Sequence, residues 1–143
     1  MPRWTEDQHA LATVRLVIMV AAVVAYVLLA GLAVFQIALA AGAPLGHFAW
    51  GGKHRVLPRG LRIASALSVL LYAFFAWIIA RAVERATDVG DFVYETPLAL
   101  WVLTAYFGIG ILANAASRSR PERFVMTPVV AVLFTCCLVI ALA

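Results

Sequence analysis

The chain has 143 residues, of which 65% are hydrophobic and 13% are charged, and it carries a net charge of +4 with a mean hydropathy of +0.99. A water-soluble domain has roughly half apolar and about a quarter charged residues, so this composition excludes an ordinary soluble domain. The apolar residues fall in four blocks that are long enough to cross a lipid bilayer, which predicts an integral membrane protein.

The first apolar block covers residues 16–42, and Gln36 is its only strongly polar side chain. A helix of this length reaches about 40 Å, more than the hydrocarbon core of about 30 Å, so we expect it to tilt or to project beyond the bilayer. The small residues from Ala38 to Ala41 resemble a signal-peptidase site, and cleavage there would leave three helices. An uncleaved anchor is favoured because the block is longer than the roughly 7–15 apolar residues of a signal peptide.

The other three blocks predict three more helices. The second covers about 63–85, where an apolar stretch is followed by a charged turn that emerges into water. The third covers 96–116 and begins with Thr96 as N-cap and Pro97 at the first helical position, where the missing N–H is harmless. The fourth covers 124–143.

The continuous apolar runs determine the fold class. Strands of an outer-membrane barrel alternate lipid-facing and lumen-facing residues, whereas a helix satisfies its own backbone hydrogen bonds in lipid. We therefore predict an all-α membrane protein, a bundle of four transmembrane helices in a single domain over residues 1–143. A basic loop at 43–62 and an acidic loop at 86–95 separate the helices in an order that fits either a two-plus-two repeat of helical hairpins or two unrelated hairpins.

The positive charges predict the orientation of the chain. Cytoplasmic loops carry an excess of Lys and Arg, so loops 43–62 and 117–123 are predicted to be cytoplasmic and both termini to lie outside. The cations of these two loops are Lys53, Arg55, Arg59, Arg62, Arg118, Arg120 and Arg123.

The stretch GHFAWGGKHRVLPRG, residues 46–60, combines glycines, aromatic residues and cations without an acid. Gly51 and Gly52 can adopt positive φ angles and point successive backbone N–H groups into one anion-attracting concavity. Arginine matches phosphate or carboxylate with two hydrogen bonds. The alternative is that the loop only anchors and orients the protein. The candidate ligand-binding residues are Trp50, Gly51, Gly52, Lys53, His54, Arg55 and Arg59.

A few uncharged polar side chains fall inside the predicted spans, where each is unfavourable unless it is paired or lines a cavity. Helical spacing places several of them on one face of the second helix and one face of the third. These faces either pack against neighbouring helices or line a cavity. The cavity-lining candidates are Gln36, Ser65, Ser68, Tyr72, Tyr106 and Asn114.

Several kinds of site are disfavoured. No charged residue falls in the middle of a predicted span, which argues against proton- or sodium-coupled transport. Cys136 and Cys137 are neighbours on a helix and point apart, which indicates packing residues. The acids around the second loop lack the spacing of a calcium loop, so a solvated face is favoured over a metal site; they are Glu84, Asp88, Asp91 and Glu95. We predict no metal, no cofactor and no nucleic-acid partner.

Two segments resemble a known family. The first is Gly42-Ala43-Pro44-Leu45-Gly46 followed by Trp50-Gly51-Gly52, Arg55-Val56-Leu57-Pro58 and Leu61-Arg62, and the second is 117–128, with Ser119, Glu122, Arg123 and Pro128. Both are similar to a widespread family of small, uncharacterised bacterial four-helix integral membrane proteins. The resemblance implies a multi-pass protein of the bacterial plasma (inner) membrane and carries no activity.

These observations favour a non-catalytic protein that binds or passes a small anionic or lipidic ligand near residues 46–60. Membrane lipids with anionic headgroups are the expected partners, together with further copies of the chain in a homo-oligomer. One alternative is a membrane enzyme acting on a lipid-like substrate, with His54 as acid or base. The sequence shows no carboxylate or nucleophile partner for His54, so a position beside Glu122 or Tyr106 in the fold would favour this alternative. Another is a structural subunit of a membrane complex.

Overall fold

The computed structural model describes residues 3–87 and 98–143, with side chains from residue 8 onward. Its four long helices are α1 (Arg3–Ala41), α2 (Arg59–Thr87), α3 (Leu98–Ala115) and α4 (Arg120–Leu142). A single-turn 3-10 helix, Gly46–Phe48, and a left-handed turn, Trp50–Gly52, lie between α1 and α2. The predicted all-α fold with four helices is confirmed.

All four helices are long and apolar enough to cross a membrane, over Gln8–Ala41, Arg59–Thr87, Leu98–Ala115 and Arg120–Leu142. Their outer surfaces expose large apolar side chains such as Leu112, which is 70% exposed. A surface of this kind is stable against lipid and unfavourable against water. The chain is a multi-pass integral membrane protein.

Three helices begin earlier than hydropathy predicts. α1 starts at Arg3, not 16, while α2 starts at Arg59 and α4 at Arg120, each a few residues before the predicted span. Hydropathy detects only the apolar part of a helix, whereas good helix formers continue it into the polar layer. The predicted start of α3 at Thr96 and Pro97 lies outside the described residues.

The end of α1 is fixed by Gly42. Its φ angle of 95° is left-handed, the Gly42 N–H donates to the Leu39 carbonyl at 3.0 Å, and the Ala43 N–H donates to the Ala38 carbonyl at 2.9 Å. These two bonds form a Schellman motif, which satisfies the last carbonyls of a helix. The chain therefore leaves α1 in a defined direction at the start of the basic loop.

The bundle consists of two helical hairpins joined side by side. α1 packs along α2, α3 packs along α4, and α1 also packs along α4. Small side chains let α1 approach its neighbours closely, and Ala22 and Ala25 are buried there. Cys136 and Cys137 are both buried free cysteines on α4.

Both basic connections lie at one end of the bundle, since α1 and α3 end there and α2 and α4 begin there. We call it the loop end. The structure thus places the segments 42–58 and 116–119 together, as the orientation prediction requires. Which side of the membrane the loop end faces stays a prediction.

Candidate functional site

The first connection folds back over the loop end of the bundle as a cap. Leu39, Ala49 and Leu57 form a small buried cluster beneath it, and the Gly46 N–H donates to the Arg55 carbonyl at 3.0 Å. A Cβ atom at Gly46 would collide with the backbone oxygen of His54. Apolar burial and this close crossing hold the loop against the helices. We call residues 42–58 the cap.

The centre of the cap is a left-handed turn. Trp50, Gly51 and Gly52 have φ angles of 55°, 76° and 68°. The left-handed conformation is accessible to glycine, but it is unfavourable by roughly 1–2 kcal/mol for a residue such as tryptophan. The Trp50 indole N–H donates to the hydroxyl of buried Ser65 on α2 at 3.2 Å, which helps to hold this conformation.

Glu122 ties the cap to the other hairpin. Its carboxylate Oε2 accepts a hydrogen bond from the Gly51 N–H at 3.0 Å and another from the Ser117 hydroxyl at 2.5 Å. Nearby, the Ser119 hydroxyl donates to the His47 carbonyl at 2.5 Å. The segments 42–58 and 117–122 therefore form one hydrogen-bonded unit.

Glu122 is only 8% exposed, and among the described residues it forms no salt bridge. The sequence analysis names Glu122 only in connection with His54 and does not include it among the candidate site residues. The available signal was the spacing Ser119-x-x-Glu122 before an apolar run, typical of a helix N-terminus. Ser119 is the N-cap of α4, but the Glu122 side chain bonds to the cap rather than back to Ser119.

A pocket of about 140 Å³ lies beneath the left-handed turn. Each of the four helices contributes one polar side chain to its wall, and Trp50 contributes from the cap. The four polar residues are Gln36 of α1, Tyr72 of α2, Asn114 of α3 and Glu122 of α4. We call this space the polar pocket. It lies at the loop end of an otherwise apolar bundle.

The Gln36 amide is incompletely bonded. Its Nε2 donates to the Tyr72 hydroxyl at 3.5 Å, but its Oε1 is buried without a partner among the described residues. The Asn114 side chain, in contrast, donates to the Gly110 carbonyl of its own helix at 2.8 Å. Buried polar atoms are nearly always hydrogen-bonded, so an unbonded acceptor on a residue of the pocket wall is a specific feature.

The candidate ligand-binding residues of the sequence analysis separate into two groups. The side chains of Lys53, His54 and Arg55 are exposed on the cap, and that of Arg59 is exposed at the start of α2. The Gly51 N–H points inward and donates to Glu122, whereas the Gly52 N–H donates to the Ala49 carbonyl within the same turn at 3.0 Å. Lys53, Arg55 and Arg59, which we call the cationic rim, therefore lie at the loop end of the bundle, as does the polar pocket.

The cavity-lining candidates also divide. Gln36, Tyr72 and Asn114 line the polar pocket. Ser65 is bonded to Trp50, while Ser68 donates to the Ala64 carbonyl of its own helix. Tyr106 is 48% exposed and packs edge-on against Phe75. It lies eight residues from Asn114, about 12 Å along the helix, which places it away from the pocket.

The alternatives raised for His54 and for the acids receive no support from contacts. No hydrogen bond joins His54 to Glu122 or Tyr106 within the described ranges 3–87 and 98–143. Glu84 pairs with Arg81 at 2.6 Å on the exposed surface of α2. The described side chains include no group of three or more His, Cys, Asp or Glu that could hold a metal. Asp88, Asp91 and Glu95 lie outside the described residues.

Comparison of the chain with protein-family models, with curated proteins and with solved structures finds no match.

Proposed function

We propose that this membrane protein binds or passes a small anionic or lipidic ligand at the loop end of its bundle, with a polar group of the ligand in the polar pocket. The observation that carries the proposal is Gln36, a buried residue of the pocket wall whose Oε1 atom lacks a donor among the described residues. Leaving such an acceptor unbonded is unfavourable by about 1–3 kcal/mol. A ligand that supplies the donor removes this penalty.

The cationic rim supports an anionic group on the same ligand. Lys53 and Arg55 are exposed on the cap and Arg59 is exposed at the start of α2, while Trp50 of the cap forms part of the pocket wall. Each basic residue near a membrane surface attracts anionic headgroups with about 1 kcal/mol. A membrane lipid with an anionic headgroup meets both requirements, with its charge at the rim and its donors in the pocket.

We further propose that the chain belongs to the bacterial four-helix family that its two segments resemble, and that loops 43–62 and 117–123 face the cytoplasm. What supports the first point is that the two resembling segments contact one another through Gly51 and Glu122. What supports the second is that both basic connections share one end of the bundle.

Native mass spectrometry tests the proposed function. The protein is released from its membrane in mild detergent, and the bound molecules are weighed on wild type, on Gln36→Leu and on Ile37→Leu. Ile37 is exposed on the neighbouring position of α1 and controls for a general effect of leucine. We expect a bound species on wild type and on Ile37→Leu, reduced about tenfold on Gln36→Leu by the loss of one buried hydrogen bond. A bare wild type, or equal occupancy on all three, would contradict the proposal.

A further inference from the structure

A groove with apolar walls lies on the outside of the bundle between α1 and α4. It measures about 440 Å³, and the residues that line it include Val27, Gly31, Leu32, Val125 and Val129. In the part of the chain that the structure describes, every residue of its wall is apolar. Because these helix surfaces lie within membrane spans, the groove opens toward the acyl chains of the bilayer.

The groove adjoins the polar pocket. Leu32, Phe35, Phe48 and Met126 line both spaces. A molecule that occupies both must therefore be apolar at one end and polar at the other. This is the chemistry of a membrane lipid, and it distinguishes such a ligand from a small soluble anion that arrives from water.

Gly31 forms part of the groove rather than a helix contact. A glycine in a membrane helix usually lets a neighbouring backbone approach closely. At Gly31, however, a Cβ atom would meet nothing within 4 Å. The missing side chain therefore leaves open space in the wall of the groove, and a larger residue there would fill the groove without disturbing helix packing.

The residues of the pocket wall carry acceptors that favour hydrogen-bond donors on the ligand. Gln36 Oε1 lacks a partner among the described residues, and both hydrogen bonds that those residues give to the Glu122 carboxylate go to Oε2. The pocket volume of about 140 Å³ resembles that of a cavity of about 150 Å³ that holds benzene. It therefore fits a headgroup terminus of about the size of ethanolamine or glycerol.

Building on the proposed function, we propose that the ligand is a phospholipid, with one acyl chain in the groove between α1 and α4 and a headgroup that ends in N–H or O–H donors. These donors bind Gln36 Oε1 and the Glu122 carboxylate. The lipid enters sideways from the bilayer, because the groove opens toward lipid. Lys53 and Arg55 of the cap attract its phosphate at the membrane surface.

The test uses the full chain, delipidated in detergent and titrated with defined probes under native mass spectrometry. The probes are phosphatidylethanolamine, phosphatidylglycerol and phosphatidylcholine with identical acyl chains, and soluble phosphoethanolamine. We expect the first two lipids, whose headgroups have donors, to bind about tenfold more tightly than phosphatidylcholine, whose headgroup has none. Comparing phosphatidylethanolamine with phosphatidylglycerol shows whether the site prefers an amine or a hydroxyl donor. Soluble phosphoethanolamine should bind far more weakly, because it has no acyl chain.

Two variants assign the two parts of the site. Gly31→Leu should weaken all three lipids about tenfold, whereas Val34→Leu, at an exposed position of the same helix, should not. Gln36→Leu should abolish the preference for donor headgroups. Equal binding of phosphatidylcholine to wild type, unchanged binding to Gly31→Leu, or equal binding of soluble phosphoethanolamine would each overturn this inference. Such a result would leave the proposed function standing if Gln36→Leu, released from native membranes, still carried less of the bound species than wild type. Circular dichroism confirms that each variant is folded.

Discussion

The Glu122 carboxylate, in the first turn of α4, accepts a hydrogen bond at 3.0 Å from the backbone N–H of Gly51, which is 71 residues earlier in the chain. This contact, together with the hydrogen bond from Ser119 to His47, joins the cap of the first hairpin to the start of the last helix. It also closes one side of the polar pocket, whose wall includes Glu122 and Trp50. The position of the cap, and with it the shape of the pocket, therefore depends on an acceptor at residue 122.

Replacing Glu122 tests this dependence. Glu122→Ala leaves the Gly51 N–H and the Ser117 hydroxyl without their acceptor, so we expect a loss of about 1–3 kcal/mol in the free energy of unfolding. Glu122→Gln keeps a carbonyl oxygen in the same place and should lose clearly less. Unfolding in mixed micelles, followed by circular dichroism, measures both. An alanine variant as stable as wild type would show that the contact does not hold the cap.

The two glycines of the cap offer a matched pair. A Cβ atom at Gly51 would meet nothing within 4 Å, whereas one at Gly52 would lie 2.5 Å from the Ser119 Cβ. Both residues have positive φ angles, so alanine at either position is strained by roughly 1–2 kcal/mol. We expect Gly52→Ala to be the more destabilising, because it adds this collision to the strain.

A second substitution separates the collision from the strain. Ser119→Gly removes the atom that the new Cβ would meet, so the double variant Gly52→Ala/Ser119→Gly should lose less stability than the sum of the single variants. Additive losses would contradict the steric explanation. Because replacing Gly52 disturbs the cap directly, this position is unsuitable for testing ligand binding.

The hydrogen bond from Trp50 to Ser65 predicts a measurable coupling. The two side chains meet at 3.2 Å and join the left-handed turn to α2. Trp50→Phe and Ser65→Ala each remove one partner of this hydrogen bond. Polar pairs between membrane helices couple by about 0.6 kcal/mol on average and at most about 1.7 kcal/mol, so we expect a double-mutant cycle to give a coupling energy in this range. Unfolding of the four proteins in mixed micelles measures this value. Zero coupling would mean that apolar burial alone holds Trp50.

Much of the fold could be predicted because a bilayer leaves few solutions. Long apolar blocks in lipid must form helices, and polar residues within them are conspicuous, so Gln36, Tyr72 and Asn114 could be selected from the sequence. The helix ends could not be predicted from the sequence, since hydropathy does not distinguish a polar helical turn from a loop. α1 extends to Arg3 for this reason.

The rest of the site depends on contacts between distant segments. Glu122 is buried because the cap, some 71 residues earlier, folds over it. Nothing in the local sequence around residue 122 indicates this burial. Likewise, the glycine pair predicts a positive φ angle, but the inward direction of the Gly51 N–H follows from the acceptor that it meets. Tyr106 was selected with Asn114 from helical spacing, although eight residues separate the two along α3.

Labelling tests the predicted orientation. Lys53 is exposed on the cap, so Lys53→Cys should react with a membrane-impermeant maleimide only after the cytoplasmic face is opened. The background is low because Cys136 and Cys137 are 7% and 0% exposed, and the unmodified chain provides the control. Labelling of intact cells would place the cap outside and reverse the predicted orientation.

The cationic rim can be tested by removing one positive charge from the cap in one variant and from the opposite end of the bundle in another. Arg55→Gln removes an exposed cation from the cap, and Arg85→Gln removes one from the last turn of α2, at the opposite end. If the rim attracts the anionic group of the ligand, Arg55→Gln should weaken the binding of phosphatidylglycerol about fivefold at low salt, which corresponds to about 1 kcal/mol per basic residue. Arg85→Gln should have little effect, and raising the salt concentration should reduce the difference because exposed charges are screened. Equal losses from both variants would show that net charge, and not the rim, determines binding.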